Sequence, residues 1–165
     1  MLLTQWKKIV ATLSAALLLT AVAETTMAQE HSHSHGHEKQ ARLSLDNGKK
    51  WTTDGNLRQS MSRIRDALAA ELPAIHSGRA TTEQYRALAQ KTNDQIAFMV
   101  KNCKLGPKAD AMLHLVLADI IAGADAMSAQ DGSGARKGAE KIVRALDSYG
   151  AYFDHPGWHG MKHAH

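Results

Sequence analysis

The side chains best suited to chemistry in this chain are nitrogen and sulfur donors: ten histidines, seven methionines and a single cysteine in 165 residues. Four of the histidines, His31, His33, His35 and His37, alternate with Ser and Gly between Glu30 and Glu38. Neutral imidazole is the commonest metal ligand, and several on one short tract can close on Cu²⁺, Zn²⁺ or Ni²⁺ at neutral pH. Alternating His with Ser or Gly offers no apolar face to bury, so the tract is expected to be a disordered arm. If a leader is removed after Ala28, the new terminus reads Gln29-Glu30-His31. Its amine, two deprotonated backbone amides and the His31 imidazole would then form a square-planar nitrogen set, the geometry of Cu²⁺ and Ni²⁺. Cyclisation of Gln29 would destroy that set.

A second group of donors surrounds the stretch from Asn102 to His114, which holds Cys103, a Gly106-Pro107 break, Met112 and His114. Pro is favoured in the first helical turn, and Gly outside a helix end, so the stretch reads as the turn of a helical hairpin. Thiolate and thioether select Cu⁺, and imidazole accepts Cu⁺, Cu²⁺ or Zn²⁺. Cys103 with Met112, Met61 and either His114 or His155 would suit a copper centre, with Met99, one turn below Cys103, as a competing ligand. The bland alternative is that these methionines are core filler, the cysteine inert and His114 merely hydrogen-bonded. At the other terminus His155, His159 and His163 are spaced by four, but Pro156, Gly157 and Gly160 argue against a helix that would align them. A second flexible metal arm is expected there, with Met161 adding a thioether and Trp158 anchoring it.

Four amphipathic stretches must position these donors. The first runs from about Asn56 to His76 on the stripe Leu57, Met61, Ile64, Leu68, Leu72 and Ile75, with Pro73 expected to kink or end it near Leu72. The second starts at Thr81, where Thr81 and Gln84 match a capping box, and turns Tyr85, Leu88, Thr92, Ile96, Met99 and Cys103 inward. The third, Pro107 to Ala129, is apolar nearly all round and is expected to be the most enclosed. The fourth carries Ala135, Ala139, Ile142, Leu146, Tyr149 and Phe153. Short loops between such helices imply an all-α, up-down-up-down four-helix bundle with disordered His-rich N- and C-terminal tails. In that topology nine of the ten histidines, all but His76, gather at one pole with Cys103, and Met61 and Met112 sit roughly 8 Å inside it.

Residues 1–28 read as an address. Lys7 and Lys8 precede an apolar run, and small-residue exits ending at Ala23 and Ala28 follow. The run is short for a membrane span, and no second apolar segment of that length is expected after it. The organisation is therefore a signal peptide (1–28), an arm and linker (29–50) with an Asn47-Gly48 turn, the bundle (51–155) and a His-rich tail (156–165). Basic residues number 20 against 16 acidic ones and are interspersed with them, which gives no stripe for nucleic acid. The setting expected is the periplasm, with no membrane association after cleavage. One cysteine cannot form an internal disulfide there.

With these residues in place a resemblance can be stated. The leader, the HSHSHGH tract and a helical core bearing NCKLGPKADAMLHLV and YFDHPGWHG resemble uncharacterised periplasmic bundle proteins that accompany bacterial copper and heavy-metal resistance systems. The resemblance implies copper buffering, delivery or resistance, with metal ions and other periplasmic metal-handling proteins as partners. The bundle is also similar to soluble b-type and c-prime-type cytochromes. Cys-x-x-Cys-His is absent from the sequence, which disfavours the c-type; a b-type carrier would use Met61 and His155 as haem ligands. A third reading is a structural bundle whose tails bind metal incidentally. No Ser-His-Asp, carboxylate-pair or HExxH spacing is readable, so an enzyme is not expected.

Overall fold

The computed structural model describes residues 41–130 and 132–161. The expectations for the leader, for His31, His33, His35 and His37, and for His163 lie outside the described residues.

The described chain is all-α, with helices α1 (Gly55–His76), α2 (Thr82–Asn102), α3 (Pro107–Ser128) and α4 (Ala135–Tyr152). Each start has a local cause. The Asp54 carboxylate accepts from the Leu57 N–H and caps α1. Thr81 and Gln84 close the expected capping box of α2. Pro107 opens α3, where its missing N–H costs nothing.

α1 reaches His76, the end expected for it, and Pro73 lies inside the helix without ending it. Pro73 and Ala69, whose carbonyl loses its helical partner, are both exposed, which lowers the cost of an interior proline. The Ser77 hydroxyl then donates to the carbonyls of Pro73 and Ala74, and Gly78 leaves the helix at a φ of +68°. The expected Asn47-Gly48 turn is present, with both residues at positive φ and paired backbone hydrogen bonds between Asp46 and Lys49.

One apolar core runs through all four helices. Leu57, Met61, Ile64, Leu68 and Ile75 of α1 are buried in it, as are Tyr85, Leu88, Ile96 and Met99 of α2 and Ile142, Leu146 and Tyr149 of α4. The helices meet at their ends. Asn56 at the start of α1 donates to the Asn102 carbonyl at the end of α2 (2.9 Å). Gln84 at the start of α2 donates to Glu71 late in α1 (3.1 Å). α3 and α4 make the tightest pair: a Cβ on Gly138 would lie 2.5 Å from the Gly123 carbonyl oxygen, and one on Gly123 would lie 2.6 Å from that of Gly138. Only glycine at both positions lets the backbones approach so far.

α3 is not the most enclosed helix. Its apolar residues run all round, but Ala111, Ala118, Ile121 and Ala122 face outward, whereas α4 buries eight of its 18 residues on a sharp stripe. Among the described residues α3 alone is long and apolar enough to cross a membrane by length and composition. The expectation that no second such segment follows the leader is therefore corrected; here α3 lies packed against α2 and α4.

Candidate metal-binding residues

The starts of α1 and α3 and the ends of α2 and α4 carry most of the described donors, arranged in two neighbourhoods. The first is organised by Asp54. One carboxylate oxygen caps α1 through the Leu57 N–H (2.7 Å), and the other accepts the Lys104 N–H (2.5 Å) just past the end of α2. Burial alone would raise this carboxyl, but the backbone donors of Leu57, Lys104 and Asn56, joined by the Cys103 thiol, hold it below the ordinary carboxylate value. Cys103 is half-buried and unpaired by any disulfide. Burial, then the negative charge of Asp54 and its hydrogen bond, then Asp110, push the Cys103 thiol up to about 11. At neutral pH it is a thiol, and a metal ion must displace its proton.

Cys103 opens onto a cleft of about 230 Å³ between α2 and α3, lined by Met99, Val100, Cys103, Asp110, Leu113, His114 and Leu117. Met99 and Cys103 are one turn apart at the end of α2, and Asp110 and His114 are one turn apart at the start of α3. The His114 side chain is 69% exposed; its Nδ1 lies 2.9 Å from the Asp110 carbonyl oxygen and 3.4 Å from the Asp110 carboxylate.

Of the expected grouping of Cys103 with Met112, Met61 and either His114 or His155, only Cys103 and His114 line this cleft. Met112 is two residues before His114, about 200° around the helix, and its Sδ receives the Ser44 hydroxyl (3.8 Å) away from the cleft. Met61 has no exposed surface and sits in the core. The methionine that lines the cleft beside Cys103 is Met99, a residue almost wholly buried in the core.

The second neighbourhood is aromatic. His155 follows α4, and its Nδ1 lies 3.0 Å from the Tyr149 hydroxyl. Tyr149 stacks on Phe153 at 5.3 Å and receives Trp158 edge-on at 4.8 Å, while the Arg65 guanidinium covers Trp158 at 5.1 Å. Desolvation, followed by the positive charges of Arg58 and Arg65, keeps the His155 imidazole below its ordinary value, so it is neutral at pH 7. Burial drives the Tyr149 hydroxyl up, so it keeps its proton beside the His155 ring.

The flexible C-terminal arm expected from residue 156 is corrected as far as Met161. Trp158 lies on Gly150, where any side chain would collide with the indole, and Met161 is buried. The apolar area of these two residues holds the segment down. Trp51 ties the chain entering α1 to the same place, exchanging backbone hydrogen bonds with Tyr152 and Asp154 (2.8 Å each). His159 is exposed. His76 lies at the opposite end, beside a cleft of about 150 Å³ lined with Leu72, Ile75, Glu140, Val143 and Arg144.

Among the described residues no three His, Cys, Asp or Glu side chains converge on a common point. The haem arrangement does not fit either. Tyr149 and Phe153 form a stacked pair that is almost wholly buried, and His155 is turned onto Tyr149. A macrocycle would have to displace that cluster. Sequence reasoning missed Asp54 and Asp110. Asp54 had a visible signal, an Asp-Gly-Asn at a helix start, whereas nothing local marks Asp110 as facing Cys103.

No family model, curated protein or solved structure matches this chain.

Proposed function

We propose that the protein is an exported, periplasmic metal-binding protein that handles copper, in buffering, delivery or resistance. The observation that carries this reading is the density of imidazole in His31–His37, four histidines in seven residues, for which a packed core has no use. The packing is consistent with it. Ser44, shortly after the tract, lies against Met112, and Trp51 donates from its indole to the Ser44 carbonyl (2.6 Å). Ser44 and Trp51 are thus held at the end of the core that carries Cys103, His114 and His155. The helix-end contacts between α1 and α2, and the link from Lys141 of α4 to Asp119 of α3 (2.7 Å), support an up-down-up-down bundle as the scaffold.

The test is elemental analysis of untagged protein isolated from its own periplasm. Copper is expected above zinc and nickel, and a fall in copper per chain is expected on replacing His31, His33, His35 and His37 with Ala. Equal copper in that variant and in the native chain would refute capture by the tract.

A further inference from the structure

We propose that the cleft between α2 and α3 is a site for one soft monovalent ion, Cu⁺, held by the Cys103 sulfur, the His114 Nε2 and the Met99 thioether. This deepens the metal-binding reading above and rests on it for the setting, but the site is separate from the histidine tract.

Four observations converge on it. Cys103 and Met99 sit one turn apart at the end of α2 and both line a cleft whose opposite wall carries His114, with Cys103 half-buried and Met99 reaching the cleft from the core. His114 Nδ1 lies 2.9 Å from the Asp110 carbonyl, which can only accept. The neutral tautomer that donates from Nδ1 to this carbonyl leaves the Nε2 lone pair free, the arrangement in which a backbone partner orients a metal-binding histidine.

The number of donors also discriminates between ions. Zn²⁺ asks for about four ligands from Cys, His and carboxylate, and no three such side chains converge among the described residues. Cu⁺ is soft, favours sulfur and is satisfied by two or three ligands.

Charge points the same way. Val100, Leu113 and Leu117 make much of the cleft apolar. Cu⁺ on one thiolate is a neutral unit that such walls tolerate, whereas a divalent ion would leave an uncompensated charge. Binding replaces the S–H bond with an S–Cu bond and releases one proton, which the adjacent Asp54 carboxylate can relay to solvent; no electron is transferred.

The experiment is an anaerobic Cu⁺ titration against a chromophoric Cu⁺ chelator, on the chain in which His31, His33, His35 and His37 are Ala. One equivalent of Cu⁺ is expected, with a sulfur-to-metal charge-transfer band and one proton released per ion. Cys103→Ser should abolish the band and weaken binding by a hundredfold or more. His114→Gln, at an exposed position that does not threaten folding, should weaken it about tenfold, and Met99→Leu should shift the band. Met112→Leu should leave both unchanged. Equal affinity in the parent and in Cys103→Ser, or in the parent and His114→Gln, would overturn the site, as would Zn²⁺ binding there as tightly as Cu⁺. If the native chain binds copper only through the tract, the site falls and the proposed function stands. If the tract contributes nothing while the cleft retains Cu⁺, capture by the tract is what fails.

Discussion

Replacing Asp54 tests the joint between helix capping and thiol chemistry. Asp54→Ala removes the cap on α1, a loss of about 1 kcal/mol, and the charged hydrogen bond to the Lys104 N–H, about another 1.5 kcal/mol at a partly exposed position. The sum, roughly 2.5 kcal/mol, corresponds to a fall in Tm of about 10 °C for a domain of this size. The sulfur responds in the opposite sense. A thiol pushed up to about 11 is ionised in about one molecule per thousand at pH 8. Removing the carboxylate takes away the second and third causes of the rise but leaves burial. Alkylation of Cys103 at pH 8 should therefore accelerate on the order of tenfold. Asp54→Asn separates the two effects, because Asn is a good N-cap without a charge. It should lose under about 1 kcal/mol yet gain most of the thiol reactivity. Urea unfolding followed by helical circular dichroism gives the first quantity, and alkylation in native buffer gives the second. A stability change in Asp54→Ala below about 0.5 kcal/mol, or an unchanged alkylation rate in both variants, would refute the reasoning. The pH dependence has a defined sign. Because the folded carboxyl lies below its ordinary value, its contribution is present above the unfolded value of 3.8 and is lost as pH falls through the folded one. The acid limb of the stability curve should shrink in both variants.

Gly138→Ala should destabilise the chain by about 1–3 kcal/mol despite the better helix propensity of Ala, because its Cβ meets the Gly123 carbonyl at 2.5 Å; Gly55→Ala, with nothing within 4 Å, is the control, and equal thermal midpoints would contradict the close crossing. His155 is held neutral in the fold, so its contribution is present above its unfolded value of 6.5 and is lost as pH falls from there through the lowered folded value. His155→Gln should flatten the stability profile below pH 6.5 in a urea series, and an unchanged slope would show that this imidazole does not titrate against folding. Gly150→Ala should lift Trp158 from Tyr149 and expose the segment carrying His159 and Met161, read as a red shift of tryptophan fluorescence and faster proteolysis there; native-like emission would deny the docking.

Much of the scaffold could be read from local pattern, because helix boundaries are set by neighbours in sequence. The stripes of α1, α2 and α4, the capping box at Thr81 and Gln84, and the Asn47-Gly48 turn all depend on residues within about one turn of each other. The span of α1 to His76 was legible as well, but whether Pro73 would end the helix was not, because the cost of an interior proline depends on its surroundings, which is a tertiary fact. The enclosure of α3 was not legible either: an all-round apolar helix carries no directional signal, so only its neighbours decide which face is covered.

The donor types were determined by sequence alone: imidazoles in the tract and near the C-terminus, one cysteine at the end of a stripe, and methionines at helical spacing. Which of them meet was decided by tertiary structure. Helical phase sends Met112 to Ser44 and leaves Met99 beside Cys103. Apolar burial of Trp158 and Met161 draws His155 onto Tyr149 instead of leaving it in a free tail. Asp54 gains its hold on Cys103 and Lys104 only when the start of α1 is brought against the end of α2. The reason is physical: spacing along a chain specifies the face of a helix, whereas the chemistry of a thiol or an imidazole depends on what the other helices put opposite that face.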